Sequence, residues 1–427
     1  MNATCRLPKR SFETNFHWPS GRDCKACNVF TRKSAWERWR RNQSMPENAS
    51  PSAAIDFIYL NEAQMIEAGV TDMASCVDTM EEMFALLHRG DYRMPGANNS
   101  SHGSMITFPD DSPFPDMPKN TADRRFMAMP AYLGGNFGTA GVKWYGSNIA
   151  NRERGLPRSI LMFILNDTDT GAPLAFMSAN LLSAYRTGAI PGVGARHLAR
   201  HDSRVVGICG PGVMARTSLS AFMATCPAID TLKVKGRGQK SLQAFLEWVG
   251  ETFPQITTVE TVTTDEEVVR GSDIVSFCQA SQTGDVSFYP RIEREWVKPG
   301  TFFAMPAAVN FADEFLEPDV RKVFDNTGLY EAWMEEVPRP AHNIIPLAGV
   351  QWLDQVEQGK LDPTSLEDLG AIVAGDSVAR RNEDEIIILS VGGMPVEDVA
   401  WGTQIYRNAI KLGIGTKLNL WDQPALR

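Results

Sequence analysis

The chain has 427 residues, 43% of them apolar and 22% charged, which is typical of a folded protein of more than one domain length. No run of apolar residues approaches the roughly 18 that a membrane-spanning helix needs, so we expect no membrane partner. The net charge of −9 combines +7 over residues 1–45 with −16 over the rest of the chain, and a body this acidic argues against nucleic acid as a partner.

Residues 1–52 follow neither a helical nor a strand period, and we predict that they form a basic, irregular tail. Their composition permits organelle targeting, so we expect a cytoplasmic location with targeting as the alternative. Cys5, His17, Cys24 and Cys27 match no common zinc-finger spacing, and no metal site is predicted. The odd, sparse set of 7 cysteines favours a reducing compartment over a disulfide framework.

The next segment, residues 53–190, is predicted to be a mixed domain of strands and helices. Its patterns predict, in chain order, a strand over 57–60, a helix over 65–89, strands over 139–145, 158–165 and 173–177, and a helix over 181–200. The Asp-Thr-Asp-Thr-Gly sequence at 167–171 is typical of a turn, because an Asp side chain can bond its own backbone and Gly can take positive φ. We therefore predict that the strands over 158–165 and 173–177 form a hairpin.

Residues 191–345 alternate short strands and helices, which predicts an α/β fold with a doubly wound parallel sheet. The predicted elements are strands near 204–209, 231–234, 257–261 and 273–278 and helices over 239–253 and 265–270. Residues 346–427, with a strand over 385–389 and a helix over 396–412, are predicted to return to the first domain.

A glycine turn follows the first strand of this second domain. Residues 210–215 read Gly-Pro-Gly-Val-Met-Ala and satisfy the pattern G-x-G-x-x-A. Gly210 allows the tight turn, Gly212 lets a pyrophosphate approach the backbone, and the helix from Val213 presents unpaired N–H groups and a positive dipole end. The pattern favours a dinucleotide site over the alternative that the glycines only permit close packing. The expected cofactor contacts are Gly210, Pro211, Gly212, Val213 and Met214.

The end of the second strand of this domain distinguishes the two nicotinamide cofactors. An NAD site normally has Asp or Glu there, but residues 231–245 contain no acid. Arg237, aided by Lys235 or Lys240, can bind a 2′-phosphate. We therefore expect NADP(H) to be preferred, with NAD(H) as the alternative if these residues form only a solvated basic turn.

Further motifs occur along the chain: Gly141–Tyr145, Asn151, Gly155–Arg158, Leu165–Pro173, Ser183–Ala189 and Gly393–Asp398. Together with the glycine turn, they resemble the ornithine cyclodeaminase and mu-crystallin family over about residues 55–420. The Lys-Trp and Gly-Leu-Pro-Arg details are most similar to the opine-like branch that makes and oxidises N-substituted amino acids. The resemblance implies a homodimer in which a discontinuous α+β domain for substrate and dimerisation flanks a Rossmann domain.

The resemblance also implies roles for single residues. Lys143 matches the lysine beside the substrate carboxylate, and Arg186 matches an arginine that holds substrate and cofactor. Arg158 falls where the family contacts cofactor or substrate, while Gln279 and Ser390 match positions that line the nicotinamide. The chemistry agrees, because an arginine clamps the carboxylate of an amino or keto acid and Lys143 can shuttle a proton if burial near Arg186 lowers its pKa. The alternative is that Lys143 and Arg186 form surface ion pairs.

The chain departs from the family pattern in three places. Met214 replaces a glutamine of the glycine turn. The arginine of a Met-Pro segment is missing, and its replacement is left open among Arg93, Arg124 and Arg125. Val309 stands where cyclodeaminases have an aspartate, and Asp313 lies four residues further on.

These features favour an NAD(P)-dependent oxidoreductase that transfers hydride at the α-carbon of an amino, imino or N-substituted amino acid. One alternative is an ornithine-type cyclodeaminase with redox-neutral cofactor cycling, which would use Asp313 or another carboxylate. The other is a non-catalytic, crystallin-like protein that binds NADPH.

Overall fold

The computed structural model describes residues 53–279 and 289–426, so the predicted tail lies outside the described residues. The strands are β1 (Ile55–Leu60), β2 (Tyr92–Arg93), β3 (Ser104–Ile106), β4 (Arg125–Leu133), β5 (Thr139–Ser147), β6 (Ser159–Asp167), β7 (Pro173–Ser178), β8 (Val205–Cys209), β9 (Thr231–Lys235), β10 (Thr258–Val262), β11 (Ile274–Phe277), β12 (Arg291–Ile292), β13 (Phe302–Met305), β14 (Asn310–Phe311), β15 (Val320–Phe324), β16 (Leu366–Asp368), β17 (Ile386–Ser390) and β18 (Thr416–Trp421).

The α-helices are α1 (Glu62–Glu67), α2 (Met73–His88), α3 (Asn180–Leu198), α4 (Val213–Thr225), α5 (Gln239–Thr252), α6 (Asp265–Val269), α7 (Thr327–Glu336), α8 (Ala348–Glu357), α9 (Leu369–Ala374) and α10 (Pro395–Leu412). Among the described residues, no helix is long and apolar enough to cross a membrane. Within the same residues, no group of three or more His, Cys, Asp or Glu is placed to hold a metal ion.

The first sheet has the order β18-β1-β7-β6-β5-β4-β2, with β3 also paired to β4. The pair β1 and β7 is parallel, and the other pairs are antiparallel. Side chains alternate across β5, so that residues 139, 141, 143, 145 and 147 are buried. Helix α10 packs against β4, β5 and β6 and so covers one face of this sheet.

The second sheet has the order β10-β9-β8-β11-β13-β17-β15-β16, and every neighbouring pair in it is parallel. The strands β8 to β11 start and end within one or two residues of the predicted positions. The apolar, buried sequences of β8 and β11 are typical of central parallel strands, whereas β9 alternates and β10 is mostly exposed at the edge of the sheet. The predicted α/β class with a parallel, Rossmann-like sheet is confirmed.

Helix α3 lies between the two sheets, where it packs against α2, α4, β6 and β13. Its glycines permit this close approach, since a Cβ at Gly188 would lie 2.3 Å from Cβ of Thr217 and one at Gly194 would lie 2.4 Å from a methyl carbon of Leu389. The helix therefore holds its first turns, which include Arg186, at a fixed position relative to both sheets.

The predicted helix over 65–89 is wrong in one respect, because it is two helices. Helix α1 ends at Glu67, and the chain then turns through Gly69, whose φ is +90°. Asp72 caps α2 by accepting a hydrogen bond from the backbone N–H of Ser75 at 3.1 Å. The apolar spacing continued across the turn, so periodicity alone did not reveal the break.

The predicted return of residues 346–427 to the first domain is also wrong for part of that segment. Strand β17 lies inside the second sheet between β13 and β15, and β16 forms its edge. Only the part that follows β17 packs on the first sheet, with α10 on one face and β18 at the edge. Strand β17 is apolar and fully buried, which is the pattern of a central parallel strand.

Candidate active site

Lys143 lies in the middle of β5 on the buried face of the first sheet. Its side chain is only 2% exposed, and its Nζ lies 2.8 Å from Oδ2 of Asp398 and 3.2 Å from Oγ of Ser183. Burial of a charged lysine is costly unless it is paired, so the carboxylate of Asp398 compensates for it. The surface ion-pair alternative for Lys143 therefore does not describe this structure.

Arg186 projects from the first half of α3 toward the same carboxylate. Its Nε donates to Oδ1 of Asp398 at 3.0 Å, and a terminal nitrogen contacts Oε2 of Glu397. Both acids lie in the first turn of α10 and are fully buried. We call Lys143, Arg186, Glu397 and Asp398 the buried tetrad, since two cations and two carboxylates meet there away from solvent.

Burial shifts proton affinities in the tetrad. Desolvation, with the nearby charge of Arg186, lowers the pKa of Lys143 to about 8. Desolvation raises the pKa of Glu397 to about 7, even though Arg186 acts in the opposite direction. Both groups can therefore gain or lose a proton near neutral pH, which is what general acid–base chemistry needs.

The tetrad lies next to the carboxyl edge of the second sheet. The loop after β17 carries Gly392 and Gly393, whose N–H groups donate to Oδ2 of Asp325 at 2.6 and 3.2 Å. Burial raises the pKa of Asp325, which follows β15, to about 6. The same loop approaches Arg186 so closely that a Cβ at Gly393 would lie 3.0 Å from its guanidinium. Ligands of open α/β sheets bind at this edge.

The glycine turn has the form that a pyrophosphate requires. Gly210 has a φ of +90°, and a Cβ there would lie 2.6 Å from the backbone of Gln279. Gly212 precedes α4, makes no side-chain cap, and has open space where a Cβ would be. The first N–H groups of α4 are thus available to an anion. Val213 is 65% exposed, whereas Pro211 and Met214 are half-buried.

The basic turn after β9 divides into paired and unpaired charges. Nζ of Lys235 lies 2.8 Å from Oδ1 of Asp265, so its charge is compensated. Arg237 and Lys240 are exposed and form no ion pair or hydrogen bond with the residues that the structure describes. Of the residues predicted to bind a 2′-phosphate, Arg237 is therefore available and Lys235 is not.

Gln279 and Ser390 follow or end central strands of the second sheet. The side-chain amide of Gln279 donates to the carbonyl of Ala308 at 2.9 Å, while its own buried Oε1 has no partner among the described residues. The hydroxyl of Ser390 is fully buried and accepts from the N–H of Gly349 at 2.9 Å. Oε1 of Gln279 can thus accept a hydrogen bond from a bound amide, whereas Oγ of Ser390 already accepts one from Gly349.

Arg158 is not part of the tetrad. Its Nε lies 3.2 Å from Oδ2 of Asp123, which also forms an ion pair with Arg125. Three arginines were candidates to replace the missing family arginine. Among them, only Arg125 lies on the same sheet face as Lys143, where it is the cross-strand neighbour of Ser147. Of the other two, Arg93 is exposed and Arg124 is half-buried, and both donate to nearby backbone carbonyls.

Two positions bear on cyclodeamination. Val309 is fully buried, and Asp313 is exposed at the start of a short 3-10 helix over Asp313–Leu316. No contact places Asp313 in the tetrad among the described residues. Neither Val309 nor Asp313 therefore supplies a carboxylate to the tetrad in the part of the chain that the structure describes.

The acidic half of the tetrad was missed from the sequence. Glu397 and Asp398 belong to the motif Gly393–Asp398, but no role was predicted for them. Two adjacent acids in the first turn of a helix are a recognisable signal. Their buried cationic partners lie more than 200 positions away along the chain, so no local pattern identifies the pairing.

Comparison with known proteins gives a consistent result. The sequence model described as "Ornithine cyclodeaminase/mu-crystallin family" matches residues 69–412. N-((2S)-2-amino-2-carboxyethyl)-L-glutamate dehydrogenase of Staphylococcus aureus is 28% identical over 369 residues, covering 86% of this chain and 99% of that protein. Alanine dehydrogenase of Archaeoglobus fulgidus is 27% identical over 298 residues, covering 69% of this chain and 83% of that protein.

Solved structures show the same fold. The Thermococcus litoralis Δ1-pyrroline-2-carboxylate reductase in complex with NADH and L-proline superposes with a TM-score of 0.67 at 24% identity, covering 84% of this chain and 99% of that one. An archaeal alanine dehydrogenase dimer with bound NAD also gives a TM-score of 0.67 at 24% identity, covering 86% and 100%.

The raised pKa of Glu397 predicts a pH-dependent effect of Glu397→Gln. The folded protein holds a proton on Glu397 between its ordinary pKa of 4.5 and about 7, while the unfolded chain releases it. Stability contributed by this group therefore falls as pH rises through that window. Glutamine stays neutral, so the melting temperature of the variant minus that of the wild type should grow by a few degrees from pH 5 to pH 8 in differential scanning fluorimetry.

The exposed Glu314→Gln serves as the control, for which the difference should not change with pH. A difference for Glu397→Gln that stays constant or shrinks over the same range would contradict the burial of an ionisable carboxyl there.

Proposed function

The chain belongs to the ornithine cyclodeaminase/mu-crystallin family, and from that premise we propose that it is an NADP-preferring oxidoreductase that transfers hydride at the α-carbon of an imino or N-substituted amino acid. The observation that carries the proposal is the buried tetrad beside the carboxyl edge of the nucleotide-binding sheet. Named relatives support it, because they are dehydrogenases and reductases of amino acids and imines.

A substrate carboxylate is the natural ligand of Arg186 and Lys143. Charge-assisted hydrogen bonds from a guanidinium and an ammonium each contribute about 1.5–3 kcal/mol and fix orientation. A third negative charge would unbalance the tetrad, but Glu397 can take up a proton near pH 7 and so release Arg186 to the substrate. Proton uptake by Glu397 therefore accompanies substrate binding.

Lys143 is the proton donor in the direction of reduction. Its pKa of about 8 leaves the ammonium form dominant at neutral pH, while the amine form becomes accessible for the reverse direction. Asp398 holds Nζ in place through the ion pair at 2.8 Å. A nicotinamide held at the glycine turn would supply hydride for the α-carbon, and Lys143 would supply the proton to the nitrogen, so that an imine becomes an amine.

The redox reaction is favoured over both alternatives. Cyclodeamination lacks its expected aspartate, because Val309 is buried and apolar and Asp313 is exposed. A non-catalytic role does not explain why Lys143 and Arg186 are both buried and paired at the sheet edge. Net consumption of NADPH distinguishes the redox reaction from cyclodeamination, since a cyclodeaminase consumes none.

The preference for NADP(H) rests on the turn after β9. Arg237 is exposed and unpaired among the described residues, and no acid lies at the end of β9 to accept the ribose hydroxyls. A guanidinium binds a phosphate through two parallel hydrogen bonds. The available charge therefore favours the cofactor that carries a 2′-phosphate.

A homodimer is proposed from the outer face of the first sheet. On the face opposite Lys143, Phe126, Trp144 and Ile160 are 40%, 36% and 47% exposed, and the first two rings stack at 5.8 Å. A second copy would bury this apolar face. The archaeal alanine dehydrogenase that shares the fold is described as a dimer.

Lys143→Met should lower kcat by at least about 100-fold, because it removes the proton donor and one carboxylate ligand. Turnover is measured as NADPH oxidation with a panel of 2-oxo acids and amines, with mass detection of the product. NADPH affinity should be unchanged in a fluorescence titration, and the exposed Lys411→Met should keep wild-type kcat. A Lys143→Met enzyme with wild-type kcat removes this lysine from the mechanism.

Arg237→Ser should raise the KM for NADPH by about 10-fold or more and change the KM for NADH little, since only NADPH has the 2′-phosphate. Arg89→Ser, at an exposed arginine of the first domain, is the matched control and should change neither. Equal KM values for NADPH and NADH in the wild-type enzyme would contradict the preference.

Ile160→Lys should shift the protein from dimer toward monomer, because it places a charge in the apolar face. Light scattering after size exclusion measures the mass. The result that would count against this interface is a wild-type mass of one chain, or a variant that dimerises as tightly as the wild type.

A further inference from the structure

Asp123 occupies a polar site that the proposed reaction does not use. Its carboxylate forms ion pairs with Arg125 and, at 3.2 Å, with Nε of Arg158, and it accepts a hydrogen bond from Oγ of Ser147 at 2.7 Å. Ser147 is 4% exposed and lies 2.8 Å from the hydroxyl of Ser159. Two guanidiniums and a buried hydroxyl thus converge on one carboxylate.

This site shares its sheet face with the tetrad. Ser147 and Lys143 are four residues apart on β5, so their side chains project to the same face, with Cα atoms about 13 Å apart. Arg125 and Ser159 are the cross-strand neighbours of Ser147. Between the two polar ends lies an apolar row of Met127, Tyr145 and Leu161.

The segment that carries Asp123 has an uncommon backbone conformation and lies beside open space. Asp123 has a φ of 59°, a left-handed conformation that residues other than glycine seldom adopt. A cavity of about 350 Å³ lies against it, lined by Met105, Thr107, Asn120, Thr121, Ala122 and Arg124 together with Arg125. The carboxylate can therefore move aside, and an anion can enter.

The charge at this site also favours an anion. Arg125 and Arg158 both pair with Asp123, so their guanidiniums lie close together. Burial and the nearby charge of Arg125 lower the pKa of Arg158. One carboxylate compensates for only one of these two charges. A ligand with a carboxylate would be attracted by the remaining charge and would find the same three donors.

We infer that Arg125, Arg158 and Ser147 form a second carboxylate site, which Asp123 fills until substrate binds, and that the substrate carries two carboxylates. One carboxylate binds at the tetrad and the other at this site, with the connecting carbons against the apolar row. The inference rests on the proposed function. In this reaction a 2-oxo acid and an amine lose water to form the imine, NADPH gives hydride to the imine carbon and becomes NADP⁺, and a proton joins the imine nitrogen.

The test compares substrates that differ only in the second carboxylate. The pairs are 2-oxoglutarate against 2-oxopentanoate with ammonium, and pyruvate with β-alanine against pyruvate with propylamine. The wild-type kcat/KM should be at least about 10-fold higher for the diacid of one pair. The pair that shows this preference identifies whether the second carboxylate belongs to the oxo acid or to the amine. Arg158→Gln should reduce this preference by about 10-fold, whereas Arg154→Gln, at an exposed arginine nearby, should keep it.

Asp123→Asn separates a displaceable carboxylate from a structural one. Asparagine tolerates the left-handed conformation, and it removes the competing charge, so the KM for the preferred diacid should fall by about 3-fold or more. If Asp123 only holds the arginines in place, the KM for the diacid will rise or stay the same, and the inference is wrong.

A binding measurement distinguishes failure of this inference from failure of the proposed function. Isothermal titration of the full chain with NADP⁺ present compares glutarate with pentanoate. Tighter binding of glutarate by about 10-fold, lost in Arg158→Gln, supports the site even if no pair oxidises NADPH, an outcome that would refute only the proposed function. Equal binding of the two acids, or turnover without any preference for a diacid, overturns the second site.

Discussion

Mutual compensation of four buried charges is the constraint on which this structure depends. Each residue of the buried tetrad is 4% exposed or less, so water cannot solvate its charge. An unpaired buried charge costs several kcal/mol, and removal of one partner exposes the others to that cost. The charged positions of β5, α3 and α10 must therefore meet at one point. This requirement fixes the position of the first sheet relative to α3.

The same compensation prepares the site for chemistry. Burial moves the pKa of Lys143 down to about 8 and that of Glu397 up to about 7, so both groups titrate closer to neutral pH than they do in water. The loop through Gly392 and Gly393 ties it to the second sheet through Asp325. A cofactor bound at the glycine turn and a carboxylate bound at the tetrad would thus be held by one connected set of elements.

How much could be predicted from the sequence depended on the range of the interaction. The strands β8 to β11 and the turn at Gly210 were predictable, because short β-rich segments that alternate with helices and a glycine turn are local signals. The place of β17 between β13 and β15 was not, since parallel neighbours are joined through distant segments. The resemblance identified Lys143 and Arg186, but their carboxylate partners, and Asp123 between Arg125 and Arg158, became visible only when separated segments met.

The most direct measurement of the central claim is isotope transfer from NADPH that carries deuterium at both positions of C4. If the tetrad holds an imino acid for hydride transfer, the enzyme will oxidise the cofactor stoichiometrically and one deuterium will appear at the α-carbon of the amine product, detected by mass spectrometry and NMR. Product that forms without net NADPH oxidation, or that carries no deuterium at the α-carbon, would contradict the account.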